Sequence, residues 1–225
     1  MPDVTIESAA LIDGFIADTL AANFRADPSL DPATSRLISA FNSLTRKDGY
    51  VLQHAVERAL RIADHLEVWQ EPEFEISYAA DQLATEDNLE TCLRTELPYG
   101  LNSIRHISRD LIVVNPIDRM VGSYDVKRGG GAADCGKKRQ LIRDTLATQM
   151  LLRDYIRRNG YEVDRAEARV ISVYGRTGLP ADITIRGDQL NQHFGAEIEG
   201  SVREVADMFR QRIAGILPQL GFRRV

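Results

Sequence analysis

The sequence predicts an α/β fold, a central mixed β-sheet flanked by helices, with a mostly helical N-terminal part. Three observations carry this expectation. Residues 50–70 space apolar side chains at helical intervals, residues 104–128 read as two apolar strands on either side of a turn, and residues 137–158 form a long helix leading into further strands. At 225 residues, 44% hydrophobic and 27% charged, the chain is long enough to bury a sizeable core. The expected division is a helical region over 1–70 packed on a core over 71–225 that includes the C-terminal helix.

In chain order, residues 7–23 and 33–44 read as helices separated by RADPSLDP, whose prolines stop one helix and whose aspartates can cap the next. The 50–70 segment spaces Val51, Val56, Leu60, Ile62, Ala63 and Leu66 at helical intervals. EFEISY at 73–78 alternates like a short strand, and 81–97 reads as a helix ending before Pro98. From 104 the texture becomes strand, turns at Asn115-Pro116-Ile117-Asp118, and continues as MVGSYDVKRG. After GGGAADCG the 137–158 helix runs to Asn159-Gly160, a stop signal. ARVISVYG and ADITIRG read as strands, Asp188 as a cap for a short helix, and 199–216 as an amphipathic helix.

The N-terminal residues are acidic where a signal peptide is basic, and no apolar run approaches the roughly 18 residues of a membrane span, so the expectation is a cytoplasmic protein without a membrane partner. Cys92 and Cys135 lie far apart and argue against a disulfide framework or a Cys-ligated metal. The net charge of −5 is segregated. Residues 1–100 hold 7 Lys/Arg against 18 Asp/Glu, and residues 101–225 hold 21 against 15. Within 127–158, nine basic residues including Lys127, Arg128, Lys137, Lys138, Arg139 and Arg143 face three acidic ones, a footprint able to neutralise phosphates.

The chemistry lies in RDLIVVNPIDRMVGSYDVKRG, residues 109–129. With a four-residue turn at 116–119, Asn115 pairs with Met120, and an uninterrupted register sets Asp110 opposite Asp125, with Lys127 on the same face. Opposed residues there have Cβ atoms ~4.5–5.5 Å apart, and two like charges so close are destabilising unless compensated. A divalent cation compensates, because hard cations take carboxylate oxygens and retain waters. The Lys127 ammonium beside such a centre can orient a water, help deprotonate it, or stabilise charge on a phosphate. The plainer reading is an exposed Asp125–Lys127 ion pair with Asp110 opening a strand.

These residues resemble the PD-(D/E)XK nuclease superfamily, marked by an Asp opening one strand, a short connection, then Glu or Asp, any residue, and Lys on the next. Asp110, Asp125 and Lys127 fill those positions. Arg109 stands where the family has proline, and Asp125 where Glu is commoner. The resemblance implies a restriction-endonuclease-like core, Mg²⁺ as cofactor with Mn²⁺ as substitute, and the Val126 main-chain carbonyl as a further ligand. It also implies an upstream Glu or His, for which Glu57, Glu96 and His106 are the candidates, Glu57 the foremost. On the 137–158 helix, Ile142, Leu146, Gln149, Arg153 and Ile156 form one stripe, and a glutamine there requires buried partners. Gln149 followed by Tyr155 resembles the RecB-like branch, in which such a glutamine supports the active site.

The expected function is therefore metal-dependent hydrolysis of phosphodiester bonds, in DNA with RNA an alternative, by Asp110, Asp125, Lys127 and Gln149. Lys137, Lys138, Arg139 and Arg128 would hold phosphates, and a homodimer would cut two strands. The rivals are a catalytically inactive nucleic-acid-binding module on the same fold and a protein-interaction domain.

Overall fold

The computed structural model describes residues 4–131 and 134–220, and the chain forms two compact units, one of residues 1–59 with 197–225 and one of residues 60–196. Among the described residues no helix is long and apolar enough to cross a membrane.

The first unit is helical. It contains α1 (Val4–Ala21), most of α2 (Pro32–Ile62) and α7 (Glu199–Ile216). The two helices expected over 33–44 and 50–70 are one, because Ala40, Leu44, Val51, Leu52, Ala55 and Val56 are buried along a stripe that runs through Gly49 without a break. Asp31 stabilises the start of α2, its Oδ1 accepting the Thr34 N–H at 3.0 Å. The Arg212 Nη2 donates to the Asp13 Oδ2 at 3.5 Å between α7 and α1, so the C-terminal helix belongs with the N-terminal helices and not, as expected, with the core.

The second unit carries a five-stranded sheet in the order β1 (Glu67–Ser77), β2 (Ser103–Asn115), β3 (Met120–Lys127), β4 (Arg165–Ser172), β5 (Thr184–Arg186). β1, β2 and β3 are antiparallel, and β3, β4 and β5 are parallel, so the mixed sheet expected from the sequence is present. Strand β1 begins within the segment expected to continue the 50–70 helix, because residues 67–69 pair with residues 112–114 of β2. Its Pro72 lies at a register shift on an edge strand, where a missing N–H costs least. The helix expected over 81–97 is instead α3 (Tyr78–Leu83) and α4 (Leu89–Arg94), separated by a 3₁₀ turn, and α3 is capped by Ser77.

Helix α5 (Cys135–Arg158) is the crossover between parallel β3 and β4. Its Ile142, Leu146, Ala147 and Met150 pack on Ile112, Val114 and Val121 to form the core on one face of the sheet. On the other face Tyr124 meets Phe194 of α6 (Leu190–Phe194) edge-on. Strand β3, covered on both faces, is therefore buried over six of its eight residues. At the hairpin, Asn115 pairs with Met120 as expected, and the Asn115 Oδ1 accepts the Ile117 and Asp118 N–H groups at 3.0 Å.

Candidate active site

The register between β2 and β3 is regular from Asn115↔Met120 to Leu111↔Tyr124, where the pairing ends. Against β1, strand β2 holds one extra residue between Arg109 and Ile112, the signature of a β-bulge. The side-chain pattern agrees. Ile107 packs with the same core as Ile112, which two residues of opposite parity do only if the strand switches face between them. The uninterrupted register expected from the sequence therefore does not reach Asp110.

The bulge re-aims two consecutive side chains. Arg109 turns to β3, where its Nε donates to the Ser123 Oγ at 2.9 Å and its Nη1 to the Asp125 Oδ2 at 3.0 Å. This guanidinium is 1% exposed and the Asp125 side chain 9%. Asp110 stands where the ladder has opened, its Oδ2 accepting the Val126 N–H at 2.8 Å and lying 3.5 Å from the Lys127 Nζ. Asp110, Asp125 and Lys127 nonetheless line one cavity of about 650 Å³, with Ser108, Gly129 and, from α5, Lys137, Gln140 and Asp144. The carboxylates sense each other. Burial first, and then the Asp125 charge, raise the Asp110 carboxyl above its ordinary range, against the opposing pull of Lys127 and the Val126 N–H.

The Lys127 carbonyl accepts the Val173 N–H at 3.1 Å and so points toward β4. Alternation turns the Val126 carbonyl the other way, to the side from which Asp110 reaches the Val126 N–H. The carboxylates that line the cavity are Asp110 and Asp125 from the strands and Asp144 from α5. Among the described residues no group of three or more His, Cys, Asp or Glu side chains is placed to hold a metal ion. A set of hard oxygens with few protein ligands fits a magnesium-like ion that keeps several waters.

Gln149 is not in this cavity. Its Oε1 accepts the Ala168 N–H at 2.6 Å and its Nε2 donates to the Ala166 carbonyl at 3.1 Å, so the amide satisfies the β4 edge beyond the reach of short β5. The requirement for buried partners holds, but those partners are backbone and not the carboxylates. Tyr155 likewise turns away, donating to the Glu71 Oε2 at 2.6 Å. Glu57 lies on α2 in the other unit, and Glu96 takes Arg153 and Arg157. His106 is exposed on β2 opposite Glu75.

The basic footprint is largely compensated by neighbouring carboxylates. Lys138 meets Glu86 at 3.6 Å, Arg143 pairs with Asp81, and Arg158 with Asp154 at 3.0 Å. The Arg139 Nε donates to the Cys135 carbonyl and Arg128 lies over the Tyr174 ring. Lys137 lines the cavity and, although 3.5 Å from Asp134, remains 84% exposed. Of the four predicted phosphate contacts, it alone lines the same cavity as Asp110.

Two features escaped the sequence. The first is Arg109, whose only signal was a charged pair, Arg-Asp, ahead of a four-residue apolar run. The second lies on the opposite face. There the Tyr124 hydroxyl donates to the Glu167 Oε1 at 2.8 Å, His193 lies 2.7 Å from the same oxygen, and the Arg169 Nε donates to the Glu167 Oε2 at 2.8 Å. Burial pushes the Glu167 carboxyl up, but His193, Arg169 and Tyr124 outweigh it and leave the group below its ordinary range. Residues 43 and 69 positions from Tyr124 are joined only by the fold.

Comparison with protein-family models, with curated proteins and with solved structures finds no match to this chain.

Proposed function

We propose that the protein is a metal-dependent nuclease that hydrolyses phosphodiester bonds, with DNA as the substrate favoured by the resemblance. The observation that carries this reading is the meeting of Asp110, Asp125 and Lys127 in one cavity, at a bulge where two strands of the sheet part. Bulges recur next to active sites because they aim side chains that a regular strand cannot. Asp110 and Asp125, with the Val126 carbonyl, are the groups that would hold Mg²⁺ or Mn²⁺. When bound, the cation would supply positive charge to a phosphate oxygen and acidify a water.

The chain's own residues define the rest of the chemistry. The Lys127 ammonium, 42% exposed in the cavity and 3.5 Å from Asp110, can orient an attacking water or stabilise charge on the phosphate. Lys137, at the start of α5, offers a second ammonium for a neighbouring phosphate. Gly129 gives the backbone a left-handed φ of 67° beside the cavity, a conformation that favours glycine. Gln149 has no part in this chemistry.

One observation favours a second reading. The Arg109–Asp125 ion pair engages a carboxylate that a metal would need, as in a binding module on the same fold that does not cut. Supercoiled plasmid incubated with the purified protein in Mg²⁺, Mn²⁺ or chelator, beside Asp110→Asn, separates the two. Nicking that needs the metal and Asp110 supports the nuclease. Binding without nicking supports the module. Neither binding nor nicking refutes both.

A further inference from the structure

The β2 bulge delivers a guanidinium to the carboxylate pair, and this arrangement has consequences for how the site fills. Four charged groups of β2 and β3 meet there. Asp110 lies 3.5 Å from Lys127, and Asp125 lies 3.0 Å from Arg109, so the formal charges sum to zero. Arg109 is not a side chain that can swing into water. It is 1% exposed, and two of its nitrogens are fixed on Ser123 and Asp125. Its Nη2 is buried without a hydrogen-bond partner.

We infer that Arg109 is a built-in counter-ion to Asp125 that keeps the carboxylate pair from binding a divalent cation strongly unless a phosphodiester is bound at the same time. The inference rests on the nuclease reading and concerns the regulation of that site. A dication entering alone would leave two uncompensated positive charges in a half-buried cavity beside Arg109 and Lys127, where Coulomb energies are larger than in water. A phosphodiester anion, held by Lys127 and Lys137, reduces that excess. Cation and substrate therefore bind with positive coupling, and the coupling is reciprocal. Ser123 contributes by fixing the Arg109 Nε, which directs Nη1 at Asp125. Arg109 touches neither substrate nor reacting atoms in this account and is a positioning and charge-setting residue.

The test is Mn²⁺ uptake, read from loss of the free-ion electron paramagnetic resonance signal, for wild type, Arg109→Gln and Arg109→Lys, with and without a short phosphorothioate DNA duplex. For wild type the duplex is expected to tighten Mn²⁺ binding by about tenfold, within the usual span of coupled sites. Arg109→Gln is expected to bind Mn²⁺ about tenfold more tightly than wild type without duplex and to lose most of the coupling, because Asp125 is released and a positive charge is gone. Arg109→Lys, which keeps the charge, should follow wild type. Equal Mn²⁺ affinity for wild type and Arg109→Gln overturns the inference. Should Arg109→Gln fail to fold, the wild-type arm still decides, since Mn²⁺ affinity indifferent to the duplex also overturns it. A wild type that nicks plasmid in Mg²⁺ while either contrary result is found loses the Arg109 inference alone. A wild type that neither takes up Mn²⁺ with duplex nor nicks plasmid loses the nuclease reading as well.

Discussion

Replacing Asp125 by Ala strands Arg109, and the structure sets the size of the effect. The guanidinium is 1% exposed and its Nη1 donates to the lost carboxylate at 3.0 Å, while Nη2 has no other partner to offer compensation. Removing one member of a buried ion pair leaves an uncompensated charge and costs about 3–5 kcal/mol. For a chain of this size each kcal/mol shifts the melting temperature by about 2–4 °C, so the expected fall is roughly 6–20 °C. Asp125→Asn, which keeps an acceptor but not the charge, should fall between. The double variant Arg109→Met, Asp125→Leu replaces the pair with apolar groups and should recover most of the loss, since such exchanges are often neutral. Urea unfolding followed by circular dichroism measures all four proteins. An Asp125→Ala variant within about 1 kcal/mol of wild type would refute the claim that this pair is buried and coupled.

Three further outcomes follow from named contacts. The raised Asp110 carboxyl lends stability below its unfolded value, lost as pH rises through the folded one. Asp110→Asn should therefore be the more stable protein near pH 7, with the gap closing as pH falls below about 4, in urea midpoints compared across that range. Gln149→Leu removes the partners of the Ala166 carbonyl and the Ala168 N–H and should cost about 1–3 kcal/mol, yet leave cleavage per folded molecule unchanged, which a parallel urea and nicking series checks. Gly122→Ala brings a Cβ into the Tyr124 hydroxyl, which Glu167 and His193 hold in place, and should cost about 1–3 kcal/mol by thermal melting.

The legible parts of this fold were those whose signals are local. The 115–120 hairpin register followed from turn chemistry at Asn115, and α5 from an apolar stripe and its stop at Asn159-Gly160. The sheet class followed from strands flanking a long helix. The failures came where tertiary pairing overrides a local pattern. Residues 67–70 carry helical spacing but are taken by β2, and the gap between 44 and 50 vanished because one buried stripe continues through it. At the site, period-two counting placed Asp110 and Asp125 near each other, and they do share a cavity. It could not see the extra residue in β2, so it missed Arg109 and the way Asp110 reaches the Val126 N–H. Gln149 was correctly read as needing partners, but its partners lie on β4, beyond a crossover that no spacing rule resolves. Likewise the basic run from 127 to 158 looked like a continuous footprint, because the carboxylates that compensate it come from Asp81, Glu86 and Glu96, far back in the chain.

The central claim is that the cavity holding Asp110, Asp125 and Lys127 cleaves phosphodiester bonds. Lys127 gives the cleanest test because its side chain is 42% exposed and its replacement need not disturb the fold. The measurement is the initial rate of plasmid nicking in Mg²⁺ by wild type and Lys127→Met at matched melting temperatures. The expected result is a loss of about 10²–10⁴-fold, the range for a group that assists proton transfer or charge stabilisation. Equal rates, or no metal-dependent nicking by wild type, would contradict the account.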